Sequence, residues 1–177
     1  MTGKIRKTFY LDNDENQPIT AGGVLIYKFV GKKMKLLIEE SRGLYEDLGG
    51  CVDDEDEDIF TTVAREAYEE SNKLIKKNSI KKRLNKEQIK YSYSPKNKYI
   101  VYIVEATEHE QELKSKDFGD TEEHDGFKRT IKWISLDEFL KSEIIKYKLN
   151  FRLKNKKLFD ILNEIKKEKN NVCMFTS

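Results

Sequence analysis

No run of apolar residues in this 177-residue chain approaches the roughly 20 needed to span a bilayer, and the N-terminus lacks the apolar core of a secretory leader. The expectation is an intracellular, cytoplasmic, soluble protein with no membrane partner. Cysteine is equally scarce. Cys51 and Cys173 have neither metal-ligand spacing nor the density of a disulfide scaffold, and Cys173 stands one position too early for a prenylation box, so both are read as thiols. There is no internal repeat, which excludes solenoids and propellers. Apolar residues make up only 37% of the chain and charged residues another 37%, yet 19 aromatics exceed what a disordered chain carries. A globular domain with a heavily charged surface follows, and the length suits one domain.

The net charge of +2 hides an asymmetry. Residues 1–72 hold 9 Lys and Arg against 16 Asp and Glu, whereas residues 73–177 hold 25 against 16. Acid early and base late suits cations on carboxylates beside a surface that steers polyanions, although a plain solvated surface has the same composition. Residues 1–19 read as a polar tail or edge strand. Gly22–Phe29 and Met34–Ile38 form a hairpin in outline, and Leu44–Leu48 a short strand ending at Gly49-Gly50. Six consecutive acids follow at 53–58. Ile59, Phe60, Val63, Ala64 and Ala67 recur at helical spacing up to Asn72, a residue that tolerates a left-handed cap. Residues 73–90 are a short helix or a loop. A central strand at 99–106, an acidic loop at 107–126, a strand at 127–134 and helices near 136–146 and 151–169 complete an α/β or α+β sandwich.

On the helix from Ile59, Glu66, Glu69 and Glu70 share an arc of about 100°. Crowded carboxylates of this kind are a ligand set for hard divalent ions or else a solvated acidic face. The paired glycines, acidic loop and Arg65-Glu66-Ala67-Tyr68-Glu69-Glu70 together resemble the Nudix hydrolase signature, G-x5-E-x7-R-E-U-x-E-E-x-G-U with U aliphatic. Counting back from Arg65, Glu57 takes the leading glutamate position. Gly50 to Glu57 then encloses six residues instead of five, and Asn72 and Lys73 replace the final glycine and aliphatic residue. Gly22-Gly23-Val24, Tyr45-Glu46-Asp47-Leu48 and Trp133-Ile134-Ser135-Leu136-Asp137 are similar to Nudix segments at corresponding places.

This resemblance implies an α/β/α sandwich with a mixed sheet over 20–146; outside the resemblance, a basic C-terminal helix with a short tail at 147–177 is expected to pack on the domain. It implies metal-dependent hydrolysis of a diphosphate linkage in a nucleoside diphosphate derivative. It implies further that Glu66, Glu69 and Glu70, with the Gly49 carbonyl, hold Mg²⁺ or Mn²⁺ and that Arg65 pairs with Glu57. Nudix enzymes often add a glutamate from a later loop; Glu123 and Glu122 are candidates, Glu105 the reserve, and His124 a possible proton carrier. Tyr27, Tyr45, Phe118 and Phe127 are candidate stacking partners for a base. Arg42, Tyr45, Lys81, Lys82 and Arg83 are candidate substrate contacts. A small nucleotide is the favoured partner, and capped RNA lying on the basic clusters is the second. A Nudix-fold module that binds nucleotide or RNA without cleaving it is the alternative from another class.

Overall fold

The computed structural model describes residues 7–175, with side chains through 172; the Cys173 side chain and residues 1–6 of the expected N-terminal tail lie outside the described residues. Strands β1 (Phe9–Tyr10) and β2 (Pro18–Ile19) form a small antiparallel pair of their own. The main sheet begins with β3 (Ala21–Val30) and β4 (Lys33–Ser41), which pair as a hairpin between Ile26 and Val30 and then diverge. The chain from Leu44 fills the gap. Its first half, β5 (Leu44–Glu46), pairs with β4, and its second half, β6 (Leu48–Cys51), pairs with β3.

The bend between them is Asp47, fully buried, whose carboxylate accepts the Tyr99 hydroxyl at 2.6 Å and the Arg152 Nε at 2.8 Å. A buried charge is tolerable only when paired in this way.

Helix α1 (Ile59–Glu70) starts where the Asp58 side chain accepts the Thr61 amide, an N-cap that ends the acidic run. It stops in a Schellman cap. The Asn72 amide donates to the Glu69 carbonyl and the Lys73 amide to the Tyr68 carbonyl, with Asn72 and Lys73 at φ 51° and 70°. Residues 73–90 contain α2 (Lys77–Leu84), whose Ile80 and Leu84 are buried. Next come β7 (Lys90–Ser94), a strand not among the expected elements, and β8 (Tyr99–Glu105), parallel to β3 along its length.

The acidic segment after β8 carries α3 (Glu108–Glu112), opened by a Thr107–Glu110 capping box, instead of being loop throughout. Strand β9 (Thr130–Ser135) pairs with β4, and α4 (Leu136–Phe139) is shorter than expected, followed by a π-type turn at Ile144–Lys148. A 3-10 turn at Phe151–Leu153 precedes α5 (Lys156–Phe175), so the last helix begins five residues later than its apolar pattern suggested.

The seven-stranded mixed sheet is covered on both faces. Val24, Ile26 and Leu37 meet Val63, Ala64, Ala67 and Ile80 on one side. Leu25, Leu36, Ile38 and Val101 meet Phe139, Leu158 and Leu162 on the other. Two buried faces explain the near-continuous apolar runs of β3, β4 and β8, and the architecture is an α/β/α sandwich. No helix among the described residues is long and apolar enough to cross a membrane.

Candidate active site

The polar end of α1 lies over the β6 turn. A side chain at Gly50 would displace the Glu66 carboxylate, because a Cβ would stand 2.6 Å from its oxygens. At Gly49 a Cβ would strike Tyr99 and the facing strand, and the Gly49 amide donates to Glu70 Oε2 at 2.8 Å. Backbone and acid therefore approach one another closely at this turn.

Arg65 organises the other side. Its Nε and Nη2 form a two-point pair with Asp56 at 3.1 and 3.0 Å, Nη2 also reaches the Cys51 carbonyl at 2.9 Å, and Nη1 donates to Glu66 at 2.8 Å and Glu69 at 3.3 Å. The partner of Arg65 is thus Asp56, not Glu57. Five residues separate Gly50 from Asp56, so the loop keeps the signature's spacing up to the acid, with aspartate in place of glutamate, and the extra residue falls after it. Glu57 is exposed while Asp56 is buried. Burial alone would raise the Asp56 carboxyl, but hydrogen bonds from Arg65, the Asp53 amide and Thr62 outweigh it and hold it below the usual aspartate value.

Beneath α1 the sheet adds acids that sequence spacing did not indicate. Glu39 on β4 and Glu46 on β5 stand directly opposite each other, 6% and 9% exposed, an unfavourable like-charge pair. Glu46 accepts the Asn150 side-chain amide at 2.6 Å, whereas Glu39 Oε2 is buried without a hydrogen-bond partner. Burial first, then Glu46 and Glu122, push the Glu39 carboxyl up to about 7 against the pull of Arg129 and Arg152. Glu66 and Glu70 are raised as well, by burial and then, for Glu70, by Glu39 and Glu66. Arg152, from the turn before α5, is the half-buried cation behind this group, bound to Asp47 and reaching the Gly49 carbonyl at 3.3 Å. Cross-strand register and a segment over 80 residues beyond α1 bring these groups together, and neither is written in a local motif.

Among the described residues no three acids stand ready-made as a metal cage. Glu66 and Glu69 share Arg65, and Glu70 takes the Gly49 amide. The donor chemistry nevertheless fits a hard divalent cation: several carboxylates held above their ordinary pKa by burial and mutual repulsion, with one buried oxygen unpartnered, gain from added positive charge.

Of the later-loop candidates, Glu122 is 8% exposed and its carboxyl is raised by burial first, with Glu69 among the charges acting on it. Glu123 is exposed, with its backbone amide on Asn72, and His124 is exposed beside Asp125. Glu105 ends β8 opposite Tyr27, at the far end of β3 from the Gly22–Gly50 pairing. Arg83 is not available for substrate: it grips Glu110 at 2.6 and 2.8 Å and the Glu105 carbonyl at 2.7 Å, tying α2 to α3. Tyr45 and Phe118 are buried in the two cores, so neither stacks on a ligand. Lys81 donates to Thr61, while Lys82, Arg42 and Phe127 are exposed.

The NUDIX domain model matches residues 18–153. Among solved structures, the crystal structure of a C. elegans Ap4A hydrolase binary complex is similar at 18% identity, with a TM-score of 0.45, over 86% of this chain and 98% of that one. No curated protein matches. The family match spans well over half of the chain and takes in every carboxylate and arginine gathered above, from Glu39 to Arg152, and on that ground the chain belongs to the NUDIX domain family.

Proposed function

We propose that this protein hydrolyses a diphosphate linkage in a nucleoside diphosphate derivative, using Mg²⁺ or Mn²⁺. The observation that carries this reading is the set of α1 carboxylates, Glu66, Glu69 and Glu70, packed over the Gly49-Gly50 turn with Glu66 where a Gly50 side chain would be. When bound, the cation neutralises phosphate charge and makes a water more acidic. Glu66, Glu69 and Glu70 would hold it, with the Gly49 carbonyl, which keeps a lone pair beside its contact with Arg152, as a further ligand. Arg65 and Asp56 fix the α1 acids against the loop. Glu122 is the buried later-loop carboxylate suited to take a proton from the attacking water, its raised pKa moving it toward neutrality as a base requires.

A small nucleotide is the favoured substrate. Among the basic residues after α1 that capped RNA would need, Arg83 is committed to Glu110 and Lys90 to Glu164 and Glu168. A panel of nucleoside diphosphate derivatives, dinucleoside polyphosphates and capped RNA, assayed with Mg²⁺, with Mn²⁺ and with chelator, tests the assignment. Metal-dependent release of a nucleoside monophosphate supports it. Binding without turnover across the panel would replace it with the non-catalytic module. Glu122→Gln is expected to slow turnover by at least about 10²-fold and Glu123→Gln by less than threefold; the opposite order would move the base to Glu123.

A further inference from the structure

The residue after the α1 cap points to a second level of organisation. At position 72 the backbone is left-handed, φ 51°, which glycine adopts at no cost and which the Nudix signature fills with glycine. Here it is asparagine, and its side chain is fully used. Nδ2 donates to the carbonyls of Phe118 and Thr121, each at 2.9 Å, and Oδ1 accepts the Glu123 amide at 2.9 Å. All three bonds go to one loop about 50 residues away. That loop is a small hairpin: the Glu122 amide donates to the Phe127 carbonyl at 2.8 Å, the Gly126 amide to the Glu122 carbonyl at 2.8 Å and the Arg129 amide to the Asp120 carbonyl at 3.0 Å. Glu122 sits at its closing pair, flanked on both sides by residues that Asn72 holds.

A second point of attachment comes from Arg129, which is buried. Its Nη2 donates to the Glu70 carbonyl at 2.7 Å and its Nη1 to the Gly119 carbonyl at 2.8 Å. The loop is thereby fastened to the turn of α1 that carries Glu69 and Glu70.

We infer that Asn72 is a positioning residue that acts through Glu122: its side-chain amide clamps the 118–126 loop on the end of α1 and keeps the Glu122 carboxylate at the acidic face. This rests on the hydrolase reading for its kinetic consequence and on geometry alone for the clamp. Glycine at this position preserves the Schellman cap and deletes the three bonds, so Asn72→Gly removes the clamp without a reason to disturb α1.

The test has two readouts. In Asn72→Gly, amide hydrogen exchange at Glu123 is expected to accelerate by at least about tenfold, while Val63 and Ala64 in α1 exchange as in the wild type. With the best substrate of the panel, kcat is expected to fall by at least about tenfold with KM within about threefold, because misplacing a catalytic group by a fraction of an ångström acts on turnover. Combined with Glu122→Gln, the second change should slow the enzyme by less than about twofold further, since two residues acting as one unit do not give multiplicative losses. Unchanged exchange at Glu123, a wild-type kcat, or losses that multiply would each overturn the proposal. A wild-type protein inactive on every substrate would end the hydrolase reading instead, and exchange at Glu123 would then decide the clamp by itself.

Discussion

Replacing Glu69 by glutamine removes a charge and keeps a volume, so it separates the chemistry of the site from its packing. Glu69→Gln is expected to lower turnover by at least about 10²-fold at saturating metal while leaving the unfolding midpoint within a few degrees; wild-type turnover would remove the metal site from α1. Asp56 belongs to stability instead. Its folded pKa lies below the ordinary aspartate value of 3.8, so the native state binds fewer protons than the unfolded chain in the acid range. The stability it contributes is fully present above that ordinary value and is lost as pH falls through the depressed one. Asp56→Asn, at the centre of the Arg65 pair, should cost about 2 kcal/mol near neutrality. It should also flatten the acid limb of stability measured by urea unfolding below about pH 5. An acid limb as steep as the wild type's would show that Asp56 carries no such linkage.

At the scale of elements, the basic helix α2 has two kinds of cation. Arg83 is a strut between α2 and α3, and its partner Glu110 is also the capping-box residue of α3. Cutting that largely buried pair leaves Glu110 unpaired, and Arg83→Ala is expected to cost roughly 3 kcal/mol in thermal or chemical unfolding. Alanine at Arg83 therefore cannot report on nucleic-acid binding. Lys82, and Lys86 just past the end of the helix, are exposed, and their joint replacement can. If RNA crosses α2, losing both should weaken capped-RNA binding and reduce its log–log salt slope by about 0.7 per lost phosphate contact, with small-nucleotide hydrolysis unchanged. An unaltered slope would leave α2 a solvated surface.

For the whole molecule, the buried acids beneath α1 store repulsion that a cation bound as proposed would relieve. A ligand that binds only the folded state stabilises it by mass action, by about 2.7 kcal/mol at a concentration one hundred times its dissociation constant. Mg²⁺ or Mn²⁺ should thus raise the unfolding temperature of the chelator-treated protein. The shift should shrink in Glu66→Gln and persist in Glu57→Gln, since Glu57 lies exposed outside the acid cluster. Equal shifts in the two variants would place the ion elsewhere.

Local information determined much of this protein. The spacing of Ile59, Val63, Ala64 and Ala67 fixed α1, and with it the common face of Glu66, Glu69 and Glu70, because helical periodicity is set by near neighbours. The signature spacing pointed to the family, and Asn72 announced its cap. The tertiary structure decided what distance in sequence conceals. Six acids in a row look alike, and only the packing of α1 against its loop selected Asp56 over Glu57 as the partner of Arg65. Strand register placed Glu39 opposite Glu46, and the turn before α5 delivered Arg152 behind them. Arg83 read as a surface cation until α3 arrived with Glu110. Strand β7 does alternate, Tyr91 and Tyr93 with Lys90, Ser92 and Ser94, but five residues with only Ser92 and Tyr93 buried are too short a signal to fix a strand until β8 offers them an edge. Charge–charge partnerships and edge pairing are long-range contacts, chosen by the fold after each residue's local preference is already satisfied.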